Sequence, residues 1–382
     1  MLGMSRSKEN SPAAKTTRTF PSYRFAGTHR QIGQQYGEAC ASLIHRHRDL
    51  VLERLKSRSG AAPAQALEEA LQYRLFVSRY ASFLDEEIQG MAEGANISLA
   101  EAYLLQLRAE LQHHDPAPEA NSECTTFAAL PEATADGASL IGQNADLSHF
   151  YTDLGVVIEV APDDASATLM LTPAGQVSYI GINDRGLGVF ANFLTCDGWR
   201  VGFPRYLLTR LALLYDSVDG AVAAVRGVHR ASSRNLIMLD KGGKAADLET
   251  TPTEDAYLEP EDGILAHSNH FVGRNLLEKE ERTGEHLRES HARLERIRDL
   301  LKVGCGRLDV PAMQAIFRDR GSLPHPICRM PGDDDSDTVT FASVIAEPTR
   351  GRIWVSVGPP NEHEYRAYTF SPQSETPDEE HN

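Results

Sequence analysis

The sequence lacks several features that would assign it to a broad class at once. Among its 382 residues there are only five cysteines and no C-x-x-C pair, so we expect a reduced protein without a disulfide framework. No stretch approaches the roughly 18 consecutive apolar residues that a transmembrane helix needs. Basic residues are in the minority, because 38 Lys and Arg face 54 Asp and Glu, for a net charge of −16. This deficit argues against nucleic acids and anionic membrane surfaces as partners, since both require a basic face.

The first residues also lack the apolar segment of a secretory signal. Residues 1–20 are basic and rich in Ser and Thr, and residues 372–382 are acidic without apolar periodicity. We therefore predict a cytoplasmic protein with a disordered N-terminus (1–20) and a disordered acidic tail (372–382). A mitochondrial-type presequence stays open, although Glu9 and Pro12 argue against it.

Between these ends, the composition is that of a globular protein, with 41% hydrophobic and 24% charged residues. Apolar residues recur at helical spacing from about Thr28 to His114, and Ser98 and Glu101 form a capping box before one of these stretches. After Cys124, short β-rich runs are separated by turn pairs. Helical stretches and one plausible hairpin then lie between these runs and the last strands. This order predicts an α+β fold in which helices cover antiparallel sheets.

Cys124 is the first candidate for chemistry because it stands where the composition changes. It follows a polar, proline-containing linker and begins the first β-rich run. A small buried core residue is the ordinary interpretation of such a cysteine. A cleavage just before it would instead create an N-terminal nucleophile, whose own α-amine, with a pKa of about 7.7–8.0, can act as the base.

Metal and cofactor chemistry have little support in the sequence. None of the 14 histidines belongs to an H-E-x-x-H helix motif. His267 and His270 are two possible ligands three residues apart, which is weak evidence for a metal site. We predict neither a metal nor a cofactor.

Five ordered segments resemble a known family. They are Cys124-Thr-Thr, Gly142-Gln-Asn-Ala-Asp146, Gly186-Leu-Gly-Val-Phe-Ala-Asn192-Phe, His267-Ser-Asn269-His270 and Leu323-Pro-His-Pro-Ile-Cys-Arg329. Together they are similar to the acyl-coenzyme A:6-aminopenicillanate acyltransferase family of cysteine N-terminal-nucleophile (Ntn) hydrolases, peptidase family C45. Choloylglycine hydrolases and penicillin V acylases are more distant. The resemblance implies a four-layer αββα sandwich with a helical N-terminal portion.

The resemblance also implies a role for each matching residue. Cys124 would be the nucleophile, with its free α-amine as base, and Asp146 would orient that amine. Asn269 would donate its side-chain amide to the oxyanion, and Asn192 would help line the same hole. Arg329 would lie near the thiol and favour the thiolate, since a nearby cation lowers a thiol pKa.

Each of these roles has a structural alternative. Asp146 fits a turn or cap, and Asn192 and Asn269 fit structural positions about as well as catalytic ones. Arg329 precedes an acidic loop, so an ordinary ion pair would explain it. Gln143 stands where the bile-salt hydrolases look to have Arg, and we assign it no catalytic role.

Maturation is expected between Glu123 and Cys124. Residues 21–123 would form the α-chain or pro-region, residues 124–371 the β-chain, and the two chains would stay associated. The penicillin-pathway enzyme has Gly before its nucleophile, so Glu123 is a departure from the pattern. An N→S acyl shift uses only the backbone carbonyl, and the bulkier residue constrains its geometry without preventing it.

Four aromatic residues follow the predicted oxyanion strand, namely Phe193, Trp199, Phe203 and Tyr206. They are candidates for a substrate pocket, with an ordinary core cluster as the alternative.

The function that follows is hydrolysis of a linear, non-peptide amide of the N-acyl amine or N-acyl amino acid type, through a Cys124 thioester. The first alternative is acyl transfer from acyl-coenzyme A to an amine. The others are an unprocessed Cys–His thiol enzyme and a non-catalytic binding protein on the same scaffold. The expected partners are small-molecule amides or acyl donors.

Overall fold

The computed structural model describes residues 18–59, 63–107, 110–112, 123–334 and 336–372. The segments predicted to be disordered lie outside this description, except for residues 18–20 and 372, as does most of the predicted linker before Cys124. The strands are β1 (Ser22–Gly27), β2 (Glu123–Ala129), β3 (Leu140–Ser148), β4 (Gly155–Pro162), β5 (Thr168–Pro173), β6 (Ile180–Asn183), β7 (Gly188–Asn192), β8 (Arg234–Leu239), β9 (Ala245–Thr250), β10 (Asp255–Leu258), β11 (Ile264–His267), β12 (Thr338–Glu347), β13 (Arg352–Val357) and β14 (Arg366–Thr369). The α-helices are α1 (His29–Ser59), α2 (Pro63–Gln72), α3 (Arg74–Tyr80), α4 (Ser82–Ala95), α5 (Leu99–Gln106), α6 (Leu208–Ala212), α7 (Val218–Gly227), α8 (Gly284–Gly304) and α9 (Val310–Phe317).

These strands form two sheets. The first has the order β1-β4-β5-β6-β7-β8-β9-β10, and the second has the order β11-β2-β3-β12-β13-β14. All pairings are antiparallel except the parallel pairing of β1 with β4. Because β2 lies between β11 and β3, Cys124 belongs to an internal strand rather than to an exposed edge.

The two sheets pack face to face and are covered by helices on both outer sides. Side chains from β3 and β12 meet side chains from β4 to β8 in one apolar core, exemplified by Ile141, Phe341 and Phe190. Helices α1 to α7 pack on the outer face of the first sheet, and α8 and α9 pack on the second. The predicted α+β class and αββα layering are therefore confirmed.

The helical N-terminal portion is joined to the first sheet by a strand that local patterns did not reveal. Strand β1 pairs in parallel with β4, with Tyr23 opposite Ile158. The partner strand lies far along the chain, so neither strand alone indicates the pairing. The predicted α-chain thus contributes a strand as well as helices.

Helices α1 and α4 approach each other unusually closely. Glycines occupy the contact on both helices, and a Cβ at Gly33 would lie 2.1 Å from the carbonyl oxygen of Glu87, while one at Gly90 would lie 2.2 Å from that of Arg30. Only glycine permits this approach of the two backbones. The predicted capping box at the start of α5 is present, with the side chains of Ser98 and Glu101 accepting each other's backbone N–H groups.

No described helix is both long enough and apolar enough to cross a membrane.

Candidate active site

Cys124 lies near the start of β2 and is almost completely buried. Its backbone is opposite Ala145 of β3, and only 4% of the residue is exposed. The threonines and phenylalanine that follow it favour a strand, and they hold this residue inside the second sheet. A strand start thus brings the thiol into the region between the two sheets.

Three buried side chains hold the backbone of Cys124. Its N–H donates to Oδ1 of Asn269 at 2.7 Å. Its carbonyl oxygen accepts from Nδ2 of Asn192 and from Nη1 of Arg293, both at 3.0 Å. The peptide groups on both sides of the Cys124 Cα are therefore fixed by side chains from β7, from the loop after β11 and from α8.

Asn192 reaches Cys124 from the opposite sheet. Its Oδ1 accepts from Oγ1 of Thr126 at 2.7 Å and from Nδ2 of Asn235 at 3.1 Å. With two donors facing this oxygen, Nδ2 is the atom that must face the Cys124 carbonyl. An asparagine among apolar strand residues is explained here by hydrogen bonds that join the two sheets.

Asn269 is oriented by donors in the same way. Besides the Cys124 N–H, its Oδ1 accepts from Nη2 of Arg293 at 3.0 Å. Its Nδ2 donates to the carbonyl oxygen of Phe193 at 3.0 Å, and its backbone N–H donates to Oγ of Ser290 at 2.8 Å. The side chain contacts the nucleophile and the strand end that follows Asn192.

The two histidines beside Asn269 are hydrogen-bonded to neighbouring protein groups. Nε2 of His267 lies 2.8 Å from Oε1 of Glu249, and its Nδ1 lies 2.8 Å from the carbonyl oxygen of Ser268. Burial alone would lower the pKa of His267, but the charges of Asp247 and Glu249 raise it to about 9. A protonated His267 is a donor at both ring nitrogens, which leaves neither for a metal ion.

His270 differs in charge state from His267. Its Nδ1 lies 2.7 Å from Oγ of Ser290, and burial, with the positive charge of His267, lowers its pKa to about 2. His270 is therefore neutral. Among the described residues, no histidine ring is hydrogen-bonded to the Cys124 thiol, which weighs against a Cys–His pair.

The Cys124 thiol is held in its neutral form. Burial raises its pKa, and the charge of Asp146 raises it further, while the backbone N–H of Asp146, the Gln143 side chain and the charge of Arg234 act in the opposite direction. A thiol in this environment needs a base to become a nucleophile. Gln143, to which we assigned no role, thus lies beside the thiol, where it also accepts from the N–H of Ala191 at 3.1 Å.

Asp146 lies on β3 directly opposite Glu123, next to the predicted cleavage site. Its Oδ1 accepts from Oγ1 of Thr340 at 2.6 Å, and it is completely buried. The alternative of a turn or cap residue is wrong, because Asp146 lies within a strand.

The described contacts of the Arg329 guanidinium include two carboxylates. Its guanidinium forms ion pairs with Asp334 and, at 3.5 Å, with Glu289. Its backbone N–H donates to Oγ1 of Thr340, the hydroxyl that donates to Asp146. These ion pairs fit the simpler of the two interpretations, and the role of Arg329 near the thiol stays a prediction. Arg234 is a cation whose charge acts on the thiol.

Three of the four candidate pocket aromatics gather around a buried arginine. The Arg205 guanidinium carbon lies 4.0 Å from the ring centroid of Phe193, 5.6 Å from that of Trp199 and 5.0 Å from that of Tyr206. Phe203 does not join them. It packs edge-on against Tyr80 in the core beneath the helices, because the chain turns between residues 203 and 206.

Comparison with known proteins places this chain in a family. Residues 133–362, more than half of the chain, match the family model described as acyl-coenzyme A:6-aminopenicillanic acid acyl-transferase. The chain belongs to this family. A curated member from Emericella nidulans, the acyl-coenzyme A:6-aminopenicillanic-acid-acyltransferase 40 kDa form, is 26% identical over 339 residues, which cover 88% of this chain and 92% of that protein. The predicted family is thereby confirmed, together with the prediction of an acyl-transferring enzyme.

Solved structures of two hydrolases show more distant similarity. A mutant conjugated bile acid hydrolase from Clostridium perfringens has 14% identity and a TM-score of 0.46, covering 65% of this chain and 97% of its own. Penicillin V acylase from Agrobacterium tumefaciens has 13% identity and a TM-score of 0.41, covering 61% of this chain and 83% of its own. At these values neither structure bears on the substrate of this acyl-transferase family member.

Sequence reasoning missed three arginines of the site, namely Arg205, Arg234 and Arg293. The buried residues of α8 are Ser290, Arg293, Leu294, Ile297 and Leu301, so Arg293 lies on the apolar face of the helix. A charged residue in that register was an available signal. For Arg205 and Arg234 there was none, because nothing in the local sequence shows that both are buried.

One further cluster joins the start of α8 to the segment between α9 and β12 in this acyl-transferase family member. Glu285, Glu289 and His325 place one potential ligand atom each within 4.8 Å of one another. The two carboxylates already face Arg288 and Arg329. Their arrangement is that of a salt-bridge network.

Proposed function

We propose that the protein is a self-processing cysteine Ntn amidohydrolase, cut between Glu123 and Cys124, that cleaves linear non-peptide amides through a Cys124 thioester. One observation carries this proposal. The Cys124 backbone is hydrogen-bonded by three buried side chains, those of Asn192, Asn269 and Arg293, at the point where the predicted linker meets β2. An ordinary core cysteine needs no such support.

Maturation would proceed by an N→S acyl shift. The Cys124 sulfur attacks the Glu123 carbonyl carbon, its proton passes to the departing backbone nitrogen, and the C–N bond breaks as a C–S bond forms. Water then hydrolyses this ester and frees both the thiol and the α-amine. Asp146, opposite Glu123 in the ladder, is the carboxylate next to this bond.

The matured site would carry out the same chemistry on a substrate. The α-amine takes the thiol proton, the sulfur attacks the amide carbon, and the collapse of the tetrahedral intermediate expels the amine, which receives that proton. Water then attacks the thioester, the amine base accepts one of its protons, and the acid and the thiol are released.

The contacts of Asn269 support its role at the oxyanion. In the intact chain one hydrogen of Nδ2 binds the Phe193 carbonyl, which leaves the second for a substrate oxygen next to Cys124. Fixed, buried donors of this kind stabilise a developing negative charge strongly, because they need no reorganisation. Asn192 and Arg293 would hold Cys124 in position for attack.

We also infer that the two chains stay together after cleavage in the cytoplasm. Strand β1 of the first chain is hydrogen-bonded to β4 of the second, and α1 packs on that sheet. Separation would expose this apolar face to water, so the pairing outlasts the broken peptide bond.

Acyl transfer to an amine is the second candidate, and family membership favours it. The Cys124 thioester is common to both reactions. They differ in the acyl donor, which is an amide or acyl-coenzyme A, and in whether water or an amine attacks the thioester. Adding an amine together with an acyl-coenzyme A donor, and measuring the new amide against the free acid, separates the two.

Intact-mass spectrometry tests the proposal. The wild type is expected to give two chains that divide between residues 123 and 124, whereas Cys124→Ala stays whole. A wild type that stays whole, remains unlabelled by thiol-directed acylating probes and cleaves no amide would support a binding protein instead. Turnover by the uncut chain that is lost when a histidine is replaced would support the Cys–His enzyme.

A further inference from the structure

Two buried arginines lie over the same aromatic ring, and the charge of one of them, Arg234, acts on the proposed nucleophile. Arg205 is 1% exposed and Arg234 is 2% exposed. Their guanidinium carbons lie 5.0 Å and 4.7 Å from the centroid of the same ring, that of Tyr206. The two cations therefore share one aromatic neighbour in the interior of the protein.

Neither guanidinium is matched by an acid in the part of the chain that the structure describes. There, Nε and Nη2 of Arg234 and Nε and Nη1 of Arg205 have no hydrogen-bond partner, and neither residue forms an ion pair. The nearby carboxylate of Glu110 accepts instead from the backbone N–H of Arg205, at 2.9 Å, and from the Ser232 hydroxyl. Four N–H-bearing nitrogens thus remain available.

Two buried guanidinium groups without an anionic partner are energetically unfavourable. Buried charges are normally paired, and two like charges close together raise the cost further. The pKa of Arg234 shows the effect, since burial and the charge of Arg205 lower it to about 10. Arg234 still carries its proton at neutral pH, so the site holds buried positive charge that an anion would neutralise.

The arginine pair is also well placed relative to the reaction. The charge of Arg234 acts on the Cys124 thiol. Arg205 lies against Phe193, whose carbonyl oxygen receives the Asn269 amide. The Arg205 guanidinium carbon also lies 5.6 Å from the ring centroid of Trp199.

We propose that Arg205 and Arg234 bind a carboxylate of the substrate, so that the preferred amides carry a negatively charged group close to the scissile bond. The inference rests on the proposed function and adds a substrate class to it. A planar guanidinium binds a carboxylate through two parallel hydrogen bonds, and Phe193, Trp199 and Tyr206 would cover the adjacent apolar part. The carboxylate belongs either to the acyl group or to the amine.

Matched substrate pairs test this inference. For the amine side, N-phenylacetylglycine is compared with N-phenylacetylglycinamide. For the acyl side, the anilide of glutaric acid is compared with the same anilide carrying a carboxamide in place of the free carboxylate. In at least one pair we expect kcat/KM of the acid to exceed that of its neutral partner about a hundredfold, since hydrogen bonds to charged groups are strong. The pair that shows this preference identifies the source of the carboxylate.

Variants assign the preference to residues. Arg205→Gln should reduce the acid-to-neutral ratio to roughly ten or below, mainly through KM of the acid. Arg234→Gln should reduce the same ratio, and because it also acts on the thiol, the ratio rather than either rate is the measurement. Arg352→Gln is the matched control, since Arg352 also lies over an aromatic ring, that of Trp354, but at the exposed surface. It should keep the wild-type ratio.

The outcomes separate this inference from the proposed function. Equal turnover of acid and neutral amides by the wild type would overturn the inference and leave the amidohydrolase intact, and this result needs no variant to fold. If no amide is turned over, the proposed function fails. Calorimetry with phenylacetate and phenylacetamide then decides the inference: tighter binding of the carboxylate supports it, and equal or absent binding overturns it.

Discussion

Replacing Arg293 with Met tests whether the Cys124 backbone must be held for the chain to process itself. Arg293 is 1% exposed, and its guanidinium donates to the Cys124 carbonyl, to Oγ1 of Thr125 and to Oδ1 of Asn269, at 3.0 to 3.1 Å. Methionine has a similar length but no donor. The substitution therefore removes all three hydrogen bonds while filling most of the space.

The contacts that remain limit the size of the effect. A hydrogen bond from a charged donor contributes about 1.5–3 kcal/mol. The Cys124 carbonyl keeps the bond from Asn192, and Asn269 keeps the Cys124 N–H, so two of the three acceptors retain a partner. We therefore expect a loss of about 3 kcal/mol rather than the full sum. If it is expressed in the transition state, it slows self-cleavage roughly 150-fold.

The assay follows the appearance of the two chains by intact-mass spectrometry after synthesis of the precursor. Arg296→Met is the matched control, because Arg296 lies one turn further along α8 and pairs with Asp319 at a partly exposed position. Losing that ion pair should cost at most about 1 kcal/mol and leave cleavage unchanged. Cleavage of folded Arg293→Met at the wild-type rate would refute the reasoning. If Arg293→Met does not fold, Arg293→Lys, which keeps the charge but not the three-way geometry, takes its place.

Amide turnover should rise with pH through the α-amine pKa of about 8. Burial raises the pKa of the Cys124 thiol, so the thiol needs a base, and the amine can accept the thiol proton only when it is unprotonated. A rate that does not change between pH 6 and 9 would contradict the amine as base. Glu249→Gln should weaken the pH dependence of thermal unfolding. The raised pKa of His267 adds stability that is fully present below about pH 6.5 and is lost as the pH rises through about 9. An unchanged pH dependence would show that Glu249 does not raise this pKa. Gly33→Ala should lower the free energy of unfolding by about 1–3 kcal/mol, since the added Cβ would lie 2.1 Å from the α4 backbone. A Cβ at Gly227 would have no neighbour within 4 Å, so Gly227→Ala should leave thermal unfolding unchanged in the same experiment.

Much of the fold could be predicted from local patterns. The β-rich runs after Cys124 correspond to β2 to β7 within a few residues, because alternation and turn pairs are local signals. The capping box at Ser98 likewise depends on residues three apart. Strand β1 was missed because its partner β4 lies elsewhere in the chain, and no property of a short isolated segment shows such a pairing.

For the candidate site, too, some features could be predicted from the sequence and others could not. By itself, the sequence determined the residue types and the order of the motifs, and these were sufficient to single out Cys124, Asn192 and Asn269 and to indicate the family. Which side chains surround the thiol was decided only by the tertiary structure. Residues from both sheets and from α8 meet there, so Arg234 and Arg293 are close to Cys124. The Arg329 guanidinium forms an ion pair with a carboxylate. Distances between groups so far apart in the chain depend on how sheets and helices stack, and no local pattern contains that information.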